Sequence, residues 1–82
     1  MVPFVMCPPH AVDDKQDLVS HAGEELIFLI SGKMEIVFAE RRVLMEAGDA
    51  VYFDASIPHR SRSIGKSPAQ ALVVVSDPAR GG

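Results

Sequence analysis

Apolar and polar residues alternate with a period of two through most of this chain. In the segment from Lys33 to Phe38, Met34, Ile36 and Phe38 alternate with Lys33, Glu35 and Val37, the pattern of a strand with one buried face. Ala69 to Val75 is the strongest strand former, with Val73, Val74 and Val75 in succession. Glu25 to Ile30 carries an uninterrupted apolar run from Leu26 onward, which requires burial. Pro3 to Cys7, Arg41 to Met45, Ala50 to Phe53 and His59 to Ile64 complete the set. Between them lie Pro8-Pro9, Ala39-Glu40, Ala47-Gly48-Asp49 and Gly65-Lys66-Ser67-Pro68, all turn formers or strand breakers. Ser31-Gly32, between two apolar strands, predicts a two-residue hairpin. A helix over residues 13–30 is the competing reading, and Gly23 with the β-favouring pair Ile27-Phe28 argues against it. Residues 11–17 read as an acidic loop and residues 77–82 as a flexible tail.

Short strands at even spacing without a convincing helix predict an all-β sandwich or small barrel. A closed barrel would remove exposed strand edges, and its mouth can hold a small ligand.

Length sharpens this picture. At 82 residues the chain is one domain, with its core over about residues 17–76. A domain of this size buries only about 60% of its unfolded surface. One cysteine allows no internal disulfide, so association into a homodimer through an apolar face is expected. Cys7 itself reads as a small buried apolar residue. The net charge is −3, and Arg41-Arg42 and the Arg60/Arg62 pair are the only basic clusters, so no direct nucleic-acid contact is expected. The longest apolar run, Leu26 to Ile30, has five residues, far short of a membrane span. The first residues lack the basic region of a secretory leader, and a soluble, cytoplasmic protein is expected.

Candidate chemistry centres on His21 and Glu25. At strand periodicity His21, Gly23 and Glu25 share one face, so imidazole and carboxylate converge. His59 supplies a second imidazole after the punctuated stretch beginning at Gly48. Two histidines and one carboxylate are the facial ligand set that leaves open positions on non-haem iron, and they also suit Zn, Mn or Ni. The alternative is a hydrogen-bonded polar pair inside the barrel. Elsewhere the plainer reading prevails. Glu24 faces outward, His10 belongs to a loop, and Asp49 fixes a turn through its side chain. Arg60 and Arg62 point outward if His59 points inward. Tyr52 lines either the pocket or the outer sheet.

The spacing His21-x3-Glu25-x6-Gly32, fifteen intervening residues, then Gly48-Asp49-x3-Phe53-x4-Pro58-His59 resembles the two motifs of the cupin superfamily, over about Val19 to Val75. The resemblance implies a double-stranded β-helix, a jelly-roll barrel of minimal size. It also implies metal-ligand positions at His21, Glu25 and His59, for a divalent ion such as Zn, Fe, Mn or Ni. The first motif usually opens with His-x-His; here Val19 stands in place of the first histidine. Ser63 replaces a usual asparagine, and Asp54 and Ser56 replace proline and glycine.

The wording of Ser20-His21-Ala22-Gly23-Glu24-Glu25 and of Ile57-Pro58-His59-Arg60 resembles the C-terminal cupin domain of bacterial helix-turn-helix regulators. That resemblance implies a small-molecule effector bound in a pocket containing His21, Glu25, His59 and Val19, with no DNA-binding element in these residues. The alternative implied function is a stand-alone metal-dependent enzyme of dioxygenase, isomerase or decarboxylase type. Beyond the three ligands the sequence nominates no catalytic residue.

Overall fold

The computed structural model describes residues 1–10 and 18–76. The loop expected over residues 11–17 and the tail expected over residues 77–82 lie outside the described residues. Among the described residues seven strands follow in order: β1 (Val2–Met6), β2 (Glu24–Ser31), β3 (Lys33–Phe38), β4 (Arg42–Glu46), β5 (Ala50–Asp54), β6 (His59–Ile64) and β7 (Gln70–Val75). Among the described residues there is no helix, and none therefore that is long and apolar enough to cross a membrane.

The strands form two antiparallel sheets, one in the order β1-β7-β2-β5 and the other β4-β3-β6. Period-2 alternation decides which side chains lie between them. Ile27 and Leu29 of β2 and Ala71 and Val73 of β7 meet Met34 and Ile36 of β3 and Met45 of β4 in one closed cluster. Adjacent strands in the chain mostly lie in different sheets. Only β3 and β4 are both consecutive and hydrogen-bonded to each other, while β2→β3, β4→β5, β5→β6 and β6→β7 all cross between sheets. This is the jelly-roll winding, flattened into a sandwich.

The connection at Ser31-Gly32 is therefore not a hairpin. Both edges of β2 are already occupied, by β5 and β7, so β3 has no edge to pair with. Instead the register shifts between Leu29 and Ser31, and Gly32 at φ 80° turns the chain into the second sheet. A Cβ at Gly32 would lie 2.9 Å from the Ala69 Cα, so glycine is required there both by conformation and by space. Alternating patterns around a Ser-Gly pair fit a hairpin and a sheet-crossing corner equally well.

The turn before β5 is built as expected. Asp49 accepts the Glu46 N–H on its carboxylate at 2.8 Å, and its carbonyl accepts the Leu29 N–H at 2.9 Å. Cys7, in contrast, is exposed, and its neighbour Pro8 is buried instead. The chain there is tied down by Ser63, whose hydroxyl donates to the Pro8 carbonyl at 2.6 Å and accepts the Ala69 N–H at 2.8 Å. Ser63 thus joins three segments through one buried oxygen.

The two outer faces differ in character. On the four-stranded sheet, the registers align Pro3 and Val5, Leu72 and Val74, Leu26, Phe28 and Ile30, and Tyr52 into one apolar face. Most of these side chains are substantially exposed, with Tyr52 at 63%. Tyr52 therefore belongs to the outer sheet, not the interior. On the three-stranded sheet Arg60 and Arg62 point outward, opposite in parity to buried His59. There Glu35 receives the Arg62 Nε–H at 2.9 Å and lies 3.7 Å from Arg42.

Candidate metal centre

Glu25 lies on the inner face of β2, 7% exposed, opposite Phe53 of β5 and Val75 of β7. His59 opens β6, 4% exposed, and sits across from Phe38 of β3. His21 lies outside any strand. Its N–H bonds to the Ala55 carbonyl at 3.0 Å, the Ala55 N–H bonds to the Gly23 carbonyl at 2.9 Å, and Gly23 takes φ 107°. Strand parity foretold that His21 and Glu25 meet, but a glycine bend pinned to the end of β5 accomplishes it.

The three side chains converge on one point. Glu25 Oε1 lies 3.1 Å from His21 Nε2 and 3.6 Å from His59 Nε2. All three ligand atoms fall within 4.8 Å of one another, and among the described residues they form the one such cluster of His, Cys, Asp or Glu. The rings of His21 and His59 stand edge to face at 5.8 Å.

Their far nitrogens explain why the near ones are useful. His59 Nδ1 donates to the Ile57 carbonyl at 2.8 Å, and a carbonyl can only accept. In the neutral ring Nε2 then carries a lone pair, aimed at Glu25. His21 Nδ1 makes only a longer contact with the Ala22 carbonyl, 3.3 Å, while its Nε2–H donates to Glu25 Oε1 at 3.1 Å. Exchanging the His21 Nε2 proton for a cation would bring its lone pair, that of His59 and the Glu25 carboxylate oxygen onto one ion, a two-nitrogen, one-oxygen donor set. With metal–ligand bonds of about 2.0–2.2 Å, neighbouring donors stand about 3–3.5 Å apart, close to the two separations from Glu25. Nδ1 anchoring to backbone carbonyls is the outer support that metal-binding histidines require. The residues fit a divalent ion.

The turn carrying Ile57 has its own chemistry. Asp54 Oδ1 accepts the Ser56 N–H at 2.9 Å and the Ser56 hydroxyl at 2.7 Å. These bonds hold the Asp54 carboxyl below its ordinary value of 3.8, the backbone bond contributing most. The Asp54 carbonyl then accepts the Ile57 N–H at 3.0 Å, fixing the residue whose carbonyl orients His59. Asp54 and Ser56, the departures from the family wording, close this turn with side-chain hydrogen bonds.

Val19 exchanges both backbone hydrogen bonds with His59, each 2.9 Å. Directly opposed residues put their side chains on one face, so Val19 stands beside His59 at the rim, 58% exposed, and offers no lone pair. Among the described residues the donors at the centre are therefore three. His10 is exposed and bonded to the Ser67 carbonyl at 3.0 Å, outside the cluster, and Glu24 is exposed as its parity requires.

Next to the centre the sequence reading missed a cleft of about 510 Å³, lined by Phe38, Ala39, Glu40, Arg41, Phe53 and Ile57. Phe53 packs edge-on against His59 at 4.8 Å and against Phe38 at 5.4 Å, so the His21–Glu25–His59 cluster and the cleft share a wall. The available signal was the inward parity of Phe38 and Phe53 at the ends of their strands, next to the β3–β4 turn.

A two-layer jelly roll on which two histidines and a glutamate converge defines a small β-barrel with a candidate metal site. The sequence profile of the cupin domain family matches residues 4–75, and the chain belongs to that family. No curated protein sequence matches it. Among solved structures it is similar to the iron(II) form of HppE, with a TM-score of 0.78 and 21% identity over 90% of this chain and 42% of that one. It is similar to TT1209 from Thermus thermophilus, with a TM-score of 0.68 and 27% identity, covering 90% of this chain and 68% of that one. A cupin-2 domain protein from Shewanella frigidimarina gives a TM-score of 0.65 and 14% identity, covering 87% of this chain and 65% of that one. The chain thus spans less than half the length of HppE, and that likeness is one of fold.

Proposed function

We propose that this cupin domain binds a divalent metal through His21, Glu25 and His59 and uses the mouth around it to sense a small organic effector. The observation that carries the reading is the fixed tautomer of His59, whose Nδ1 is held by Ile57 while Nε2 faces Glu25. Glu25 contributes the negative charge, and its burial favours a cationic partner. His21, 41% exposed at its side chain, forms the open side through which a ligand enters. When bound, a divalent ion supplies Lewis acidity toward a ligand oxygen at its remaining positions. The role as sensor domain of a helix-turn-helix regulator is supported by the wording of residues 20–25 and 57–60. The acidic balance of the chain favours an effector, not nucleic acid, as direct partner.

A metal-dependent enzyme is the second reading. It is favoured by the two-histidine, one-carboxylate set and by the fold shared with an iron(II) protein. Metal-loaded protein that converts a bound small molecule would establish this reading, and binding without turnover would favour sensing.

Reconstitution with Fe(II), Mn(II), Ni(II) and Zn(II) in turn, followed by metal analysis and thermal unfolding, tests the centre. About one equivalent of at least one metal is expected, with a raised Tm that Glu25→Gln abolishes. Ligand binding at about 100 times Kd stabilises by about 2.7 kcal/mol, a readily measured effect. Substoichiometric metal in all four cases would overturn the proposal.

The sensing reading includes a homodimer. On the outer face of the β1-β7-β2-β5 sheet Pro3, Val5, Leu26, Phe28, Ile30, Tyr52, Leu72 and Val74 form an apolar patch, bordered at one end by the paired Glu24 and Asp54. An apolar patch of this kind marks an interaction site, and a second copy presents the same patch to it.

A further inference from the structure

We propose that the cleft beside His59 binds a small organic anion with an apolar body, and that Arg41 reads the anionic head. The inference rests on the sensing reading above and names the class of effector.

At about 510 Å³ the cleft has the size of a small-molecule site. Its walls come from both sheets: Phe38 ends β3, Phe53 lies near the end of β5, and Ile57 leads into β6. Phe38 and Phe53 meet edge to face at 5.4 Å, leaving ring surface to receive an aromatic or branched aliphatic group. Most of this lining is hydrocarbon, with Glu40 and Arg41 supplying the polar part, so an apolar body gains by entering.

The charge at the rim selects the head group. The Arg41 guanidinium carbon stands 5.9 Å from the Phe38 ring centroid, which places the cation over the cleft wall. Its backbone is fixed, because the Arg41 carbonyl accepts the Phe38 N–H at 2.8 Å and closes the turn. The neighbouring Arg42 lies against Glu35 on the outer sheet at 3.7 Å, whereas Arg41 forms no ion pair with any described carboxylate. A planar guanidinium without a partner, beside an apolar cleft, suits a carboxylate or phosphonate that it can hold by two parallel hydrogen bonds. Glu40 also lines the cleft and carries the opposite charge, so the sign of the preferred ligand is a direct test of which residue reads it.

Binding of 3-phenylpropanoate, 3-phenylpropanamide and 3-phenylpropylamine is measured by calorimetry and amide NMR on the full chain, metal-free and zinc-loaded. The acid is expected to bind tighter than the amide, and the amine weakest. Arg41→Gln is expected to weaken the acid about tenfold and leave the amide unchanged, as loss of a charge-assisted hydrogen bond predicts. Arg42→Gln is expected to change neither. Equal binding of acid and amide, preference for the amine, or an unaltered acid affinity in Arg41→Gln would each overturn the proposal. The two readings separate cleanly. An Arg41-dependent acid preference in metal-free protein sustains the cleft even if metal fails to bind. An acid preference that needs zinc and ignores Arg41→Gln overturns the cleft and leaves the metal centre standing.

Discussion

Replacing Gly32 by alanine tests whether the sheet-crossing corner is as tight as it looks. Three glycines in turns provide the comparison, since Gly32, Gly48 and Gly65 have φ of 80°, 96° and 89°. For an alanine each conformation costs about 1–2 kcal/mol, partly offset by about 0.4–1 kcal/mol from a less flexible unfolded chain. A net loss of about 1 kcal/mol is therefore expected at Gly48 and Gly65, where an added Cβ meets nothing within 4 Å. At Gly32 the Cβ would lie 2.9 Å from Ala69 Cα and 3.3 Å from the Pro68 carbonyl oxygen, both backbone atoms. Relieving that overlap means moving the β6–β7 connection, at about 1–3 kcal/mol more. Gly32→Ala should thus lose about 2–4 kcal/mol in urea denaturation, and its Tm should fall by roughly 10–25 °C in a domain of this size. Equal losses in all three variants would refute the close approach of β2–β3 to Ala69 and leave only a backbone-conformation effect.

Ser63→Ala removes the hydroxyl shared by Pro8 and Ala69 and strands a buried carbonyl and a buried N–H. A loss of about 2–4 kcal/mol is expected, with faster hydrogen exchange at the Ala69 amide; a loss below about 0.5 kcal/mol would contradict this role. Phe28→Glu places a charge in the middle of the apolar outer face. The variant should keep its circular dichroism and elute as a monomer by light scattering where the parent is a dimer, and a dimeric Phe28→Glu would assign the interface elsewhere. Leu29→Ala, in the closed core, should cost about 2.7–5 kcal/mol by thermal unfolding, more than any surface change on β2.

The sequence alone determined the strands and much of the centre. Period-2 patterning is local, so the β3 and β6 bounds were legible to the residue, and the remaining strands to within a residue or two. The spacing of His21, Glu25 and His59 likewise carried their convergence, because the family wording encodes a shared barrel mouth. Which strands pair was decided only in three dimensions. Alternation says which face of a strand is buried, not which neighbour it bonds, so Ser31-Gly32 read as a hairpin although β2 already had partners on both edges. The same limit hid the cleft, whose walls are contributed by separate sheets, and the role of Ser63, whose partners lie 55 and 6 residues away. Tyr52 and Cys7 also waited on the fold, since exposure depends on what packs above a residue. Local physics wrote the elements and the family spacing named the three converging side chains; the packing of two sheets decided the corner, the cleft and the surfaces.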